Sequence, residues 1–174
     1  RSVAAVALAQ SASLNDDTEI AEIAERINIR FDDGRVYVDD DDLTEAIRSP
    51  EVNAAVSQVA ANPGVRSIMR RQQRSWARVR GGGVLEGRDI GSVVFPEARL
   101  KVYVTATPEE RARRRSLESG RSVEEIMEEI LQRDTKDSTR GDSPLVADQE
   151  AVVIDTTGKT IQETSDYIEG LFSR

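Results

Sequence analysis

Val84-Leu85-Glu86-Gly87-Arg88-Asp89-Ile90-Gly91-Ser92-Val93-Val94-Phe95-Pro96 is the stretch on which the fold turns. An apolar pair leads into Gly-Arg-Asp, and Gly91 then opens a second apolar run that Pro96 stops. An apolar strand ending in a glycine turn with Arg and Asp is how open α/β sheets present polar groups to a ligand beyond their strand ends. Arg88 offers a planar fork of donors suited to phosphate. Asp89 offers acceptors suited to an amino group or a sugar hydroxyl. A strand is expected at Val84 and another from Leu100 to Val104, the latter ending in Thr107-Pro108-Glu109-Glu110.

Downstream, that tetrapeptide is a capping box with Pro at the first helical position. Its helix carries Arg111, Arg113, Arg114 and Arg115. Ser122-Val123-Glu124-Glu125 starts another helix, in which Val123, Ile126, Met127, Ile130 and Leu131 repeat at helical period. A polar run follows, with Arg133, Asp137 and Arg140 spaced i, i+4, i+7 on one helical face. From spacing alone, an intrahelical ion pair and a ligand-facing cluster stand as alternatives. Ala151 to Thr157 reads as a buried strand with a polar end, and Thr160-Ile161-Gln162-Glu163 caps the last helix.

Upstream, Arg1 to Gln10 reads as an apolar helix and Asp16 to Ala24 as a short one. Arg26 to Val38 alternates about Asp32-Asp33-Gly34, a hairpin signal that places Ile27, Ile29 and Phe31 on one face. Asp39 to Asp42 reads as a solvated loop rather than a metal site, because four adjacent side chains cannot converge on one ion. Ser49-Pro50-Glu51 is a helix start with a serine cap. Asn62-Pro63-Gly64 breaks the chain before a second helix, Val65 to Val79, rich in arginine. Gly81-Gly82-Gly83 precedes the strand expected at Val84 rather than a helix, so it is not a phosphate loop.

Composition narrows the chemistry. A chain of 174 residues suits one domain with small inserts. A net charge of −8 argues against a general nucleic-acid binder. No apolar run approaches the roughly 20 residues of a membrane span, and no signal-peptide pattern follows Arg1. The sequence has no Cys, which closes disulfide and redox readings. It has no His either, which removes serine–histidine and cysteine–histidine catalysis and most zinc sites. Phosphoryl transfer survives, since it relies on positioning and cationic groups.

Gly87-Arg88-Asp89-Ile90-Gly91 with Val93-Val94-Phe95-Pro96, Leu100 to Val104 and Glu110-Arg111-Ala112-Arg113-Arg114 resembles the bacterial cytidylate kinases. So does Arg133-Asp134-Thr135-Lys136-Asp137-Ser138-Thr139-Arg140 with Pro144-Leu145, although the family often has Arg where this chain has Lys136. Ser57 to Ala61 with Pro63 and Val65-Arg66 matches the family stretch whose Ser and Arg contact cytosine. Arg1 matches the last residue of an Asp-Thr/Ser-Gly-Ala-x-Tyr-Arg run.

The resemblance implies an α/β P-loop nucleoside monophosphate kinase fold: a parallel sheet flanked by helices, a CMP-binding insert and a helical lid. The implied division is core at 1–25, 80–107 and 143–174, CMP-binding lobe with insert at 26–79, and lid with adjoining helix at 108–142. The implied reaction moves the γ-phosphoryl group of ATP to CMP or dCMP, with Mg²⁺ accompanying ATP. Arg1 and Arg88 would hold the CMP phosphate. Ser57, Arg66 and Asp89 would read cytosine. Arg133 and Asp137 would fix the sugar, and Arg140 would reach the nucleotide. Arg111, Arg114 and Arg115 would offset charge on the transferring group.

No protein metal site is expected. A cytoplasmic monomer with no nucleic-acid or membrane partner is expected. No Gly-x-x-x-x-Gly-Lys-Ser/Thr run occurs in the chain, so no ATP-phosphate loop is assigned, and residues 1 to 174 alone are expected to lack kinase activity and to be poorly stable. The rival readings are another small-molecule kinase of this fold, a non-catalytic nucleotide-binding or interaction module, and an RNA binder using Arg66 to Arg80. Few aromatics for stacking speak against the last.

Overall fold

The structure, a computed structural model, describes residues 1–139 and 149–173. The chain divides into two compact units, Arg1–Gly83 and Val84–Arg174.

In the first unit, α1 (Ser2–Ala9) is apolar almost all round, and Val3, Ala4, Ala5 and Ala7 are buried. A helix apolar on every side belongs inside a core. Around it lie α2 (Asp17–Arg26), α3 (Pro50–Ala61) and α4 (Pro63–Arg80). Each start is fixed by a side chain that accepts from an otherwise orphaned backbone N–H. Asp16 accepts from Thr18 and Glu19, Ser49 from Val52, and Asn62 from Val65.

The expected break at Asn62-Pro63-Gly64 is therefore narrower than the sequence implies. Asn62 caps α4, and Pro63 and Gly64 are its first two residues. Gly64 serves close packing: a Cβ there would lie 2.8 Å from the Ala21 Cβ. Ile20, Ile23, Val52, Val59, Val65 and Ile68 join α1 in one core.

The hairpin forms as β1 (Ile29–Asp32) and β2 (Arg35–Val38), with Asp32 opposite Arg35. Asp33 and Gly34 have φ of 44° and 74°, the positive pair that a two-residue type I′ turn requires. Ile29 and Phe31 share a face, opposite Val38 and Val36; of these four Val38 is buried and Phe31 is 58% exposed. One expectation needs correction. The acidic run is not a plain loop, because Asp41–Asp42 forms β3 against Tyr37 and Val38. Its carboxylates are locally engaged: Asp39 accepts from the Asn28 N–H, and Asp42 accepts from Thr44 N–H and Arg35.

In the second unit, β4 (Val102–Thr105) and β5 (Val152–Asp155) pair in parallel, Val102 opposite Val152. Two helices, α5 (Pro108–Ser119) and α6 (Val123–Thr139), pack through Ala112, Ile126 and Ile130, and α7 (Ile161–Phe172) follows β5. Gly120, in the left-handed conformation, ends α5. The capping box at Thr160 is complete. That at Thr107 is half made, because Thr107 accepts from the Glu110 N–H while its own N–H donates to Thr157 Oγ1.

The strand expected at Val84 is absent. Residues 82–86 are irregular, and Val84 is 98% exposed. A strand exists only with a partner to bond, and no strand pairs with this segment among the described residues. The three preceding glycines have φ of 71°, 134° and 158°, outside the strand region. The chain next makes a π-helical turn, Ile90–Val94, in which Val94 N–H donates to Asp89 O and Phe95 N–H to Ile90 O. Turns of this kind recur at functional sites. No helix among the described residues is long and apolar enough to cross a membrane.

Candidate functional site

The first unit carries Arg1, Ser57 and Arg66. Arg1, exposed at the start of α1, donates to Ile47 O and Asn53 Oδ1, both at 2.8 Å. These contacts hold the α1 start against the short 3₁₀ turn Ala46–Arg48 and α3. Ser57 lies half-buried on α3. Arg66, on the first turns of α4, is only 9% exposed, and its Nη1 donates to Ala60 O at 3.2 Å. That carbonyl belongs to the last turn of α3, where orphaned acceptors attract cations. Arg66 is thus drawn to the end of the helix that bears Ser57.

The second unit carries the other described candidates. Asp89 is half-buried, and its backbone carbonyl accepts from Val93 and Val94, which opens the π-helical turn. The Nε of its neighbour Arg88 lies 3.1 Å from Asp137 Oδ2. Arg133 Nε lies 3.8 Å from the same oxygen. The structure therefore brings Arg88, Arg133 and Asp137 together. The intrahelical pair anticipated from spacing is present, but the closer cation comes from the Gly-Arg-Asp turn. Arg140 lies outside the described residues.

The three arginines of α5 differ. Arg111 pairs with Asp134 at 2.7 Å and donates to Ala106 O at 3.2 Å. Arg114 is committed to the fold: it donates to Glu110, to Thr156 Oγ1 and to the carbonyls of Thr156 and Lys159, joining α5 to the turn after β5. Arg115 is half-buried and acts on the Glu129 carboxylate behind Arg121, the main cause of that group's lowered pKa. The Arg113 guanidinium, with Arg114 beside it, holds the Glu110 carboxyl down to about 2.

A family model described as cytidylate kinase matches residues 1–173. The chain belongs to the cytidylate kinase family. The cytidylate kinase of Limosilactobacillus fermentum (strain NBRC 3956 / LMG 18251) is 45% identical over 179 residues, covering 98% of this chain and 79% of that protein. That of Desulfitobacterium hafniense (strain Y51) is 43% identical over 181 residues, covering 99% and 78%. A bifunctional pantoate ligase/cytidylate kinase of Nostoc sp. is 39% identical over 181 residues, covering 97% of this chain and 34% of that larger protein. Cytidylate kinases have the P-loop nucleoside monophosphate kinase fold, and the second unit is α/β, with β4 and β5 parallel and accompanied by helices.

Sequence reasoning gave no role to two side chains that the structure places beside this cytidylate kinase's candidate residues. Asp134 was visible in the Arg-Asp-x-x-Asp run, yet only the structure shows it holding Arg111. Lys101 is buried, pairs with Glu150 at 2.9 Å, and lays its stem 3.4 Å from where a Cβ at Gly91 would sit. A Lys at the start of a strand gives no sequence signal of that support.

Proposed function

We propose that the protein transfers the γ-phosphoryl group of ATP to CMP or dCMP, giving CDP or dCDP. The observation that carries this reading is the family match over residues 1–173, joined by curated cytidylate kinases that align with nearly the whole chain. Arg88 and Arg1 hold the CMP phosphate through charge-assisted hydrogen bonds. Asp89 accepts from the exocyclic amine of cytosine, and Ser57 and Arg66 contact the same base. Arg133 and Asp137 fix the sugar, and Arg140 reaches the nucleotide. Arg111, Arg114 and Arg115 offset the charge that builds on the transferring group, an electrostatic role needing no strong base. Of the three, Arg114 would have to exchange its present fold contacts to do so.

Mg²⁺ is assigned to the phosphates of ATP. Asp137 and Asp134 face arginines and are given no metal role. In this reading residues 26–79 form the CMP-binding lobe with its insert and 108–142 the lid with its adjoining helix. Residues 1–25, 80–107 and 143–174 form the core. The enzyme acts as a cytoplasmic monomer without nucleic-acid or membrane partners.

The test is ADP release from ATP in a coupled assay with CMP, dCMP, UMP and AMP offered in turn. CMP and dCMP should support turnover well above the other two. Preference for AMP or UMP would overturn the assignment. In Asp137→Ala the ratio of kcat/KM for CMP and dCMP should change; if the ratio and both efficiencies stay as they were, the sugar role is wrong.

A further inference from the structure

Asp137 is the buried carboxylate of α6, with 6% of the residue exposed. One of its oxygens, Oδ2, is approached by two guanidinium groups, Arg88 at 3.1 Å and Arg133 at 3.8 Å. An enclosed charge is costly unless it is closely paired, and the nearer cation is Arg88. The constraint is reciprocal. An arginine side chain has large rotamer freedom to lose, and this one has its Nε 3.1 Å from a carboxylate on a different element. With Nε the guanidinium nitrogen paired to Asp137 by distance, the two Nη groups of the planar fork are the part offered to a phosphate, in the paired geometry that Arg favours.

We propose that Asp137 is a positioning residue for Arg88: it presets the guanidinium that grips the CMP phosphate, so that α6 governs phosphate affinity in addition to its sugar contact. The inference rests on the reading of Arg88 as a phosphate-holding residue. It separates Asp137 from a group that touches only the sugar, because its effect should travel through Arg88 and vanish when the ligand has no phosphate.

Cytidine, which lacks the phosphate, is the discriminating ligand. Its inhibition constant against CMP turnover and the Kd for CMP are measured for the unaltered protein, Asp137→Asn, Arg88→Ala and the double variant. In Asp137→Asn the preference for CMP over cytidine should fall about tenfold, the size expected for one charged contact. Arg88→Ala should lower it at least as far, and the double variant no further than Arg88→Ala alone. Equal weakening of CMP and cytidine by Asp137→Asn, additive with Arg88→Ala, overturns the positioning role while the phosphate role of Arg88 stands. If Arg88→Ala weakens CMP and cytidine alike, the phosphate assignment itself fails and the inference falls with it. Should Asp137→Asn not fold, Asp137→Glu decides, since it keeps the charge but moves it by one methylene. An unchanged CMP-to-cytidine preference in that variant also overturns the proposal.

Discussion

The two units of this chain are held together by different forces. Residues 1–83 share one apolar core in which α1, α2, α3, α4 and the hairpin all meet, and the ion pairs described there, Arg30–Asp32, Arg35–Asp42 and Arg71–Glu25, lie on the surface. Residues 84–173 have a smaller cluster around Ala112, Ile126 and Ile130. Their elements are tied instead by charged groups: Arg88 to Asp137, the buried Lys101 to Glu150, Arg111 to Asp134 and Arg114 to Thr156. Exposed pairs contribute little to stability, whereas removing one partner of an enclosed pair costs far more. On the proposed reading this region handles phosphate and needs cations, and cations drawn inward must be met by carboxylates and carbonyls. The second unit would then get part of its cohesion from the same residue types that the proposed chemistry requires.

The sharpest way to break this contrast is a cavity in the first unit. Ile20 is 1% exposed, so Ile20→Ala should lower stability by about 2–5 kcal/mol. Urea unfolding measures it, and a loss below about 1 kcal/mol would mean that the apolar core is not what holds the unit. In the second unit, Arg114→Ala should lose about 1.5–3 kcal/mol through its charged hydrogen bonds to the turn after β5. If it unfolds no more easily than the unaltered protein, charge is not the tie.

The third variant separates ligand charges from fold charges. Asp89→Ala should weaken CMP binding by about 1.5–3 kcal/mol and ATP binding far less. Equal losses for both nucleotides would reassign Asp89 to folding. The smallest effect is a pH dependence. The carboxyl of Glu110 is lowered from 4.5 to about 2 by Arg113 and Arg114. A depressed carboxyl contributes stability in full above its unfolded value and loses it as pH falls through the folded one. Unfolding free energy should therefore decline from about pH 4.5 toward pH 2, and Glu110→Gln should flatten that stretch of the profile. A Gln variant with the same slope would remove Glu110 from the account.

What the sequence disclosed was mostly local. Ser49, Thr107 and Thr160 cap helices because a short polar side chain beside an orphaned N–H acts within four residues, and Asp33-Gly34 makes its turn for the same reason of proximity. The Gly-Arg-Asp motif, the arginines of α5 and the Arg133–Asp137 spacing were equally legible as a group. What was hidden depended on distant partners. Val84-Leu85 has the composition of a strand but no partner strand among the described residues, and Asp41-Asp42 has the composition of a loop yet pairs with β2 because the hairpin brings an edge to it. The meeting of Arg88 with Asp137, 49 positions along the chain, leaves no periodic trace, and neither does the hold of Asp134 on Arg111.

The two-residue turn at Asp33–Gly34 gives the hairpin a parity. Successive residues of β2 face opposite sides, and Val38, 4% exposed, is the one that must face in. One residue inserted within β2 would send Val38 outward, and a second would bring it back. At the tip the constraint is of backbone rather than space: a Cβ added to Gly34 would meet nothing within 4 Å, yet its φ of 74° favours glycine. Length changes between related hairpins of this kind should accordingly come in even numbers along the strands.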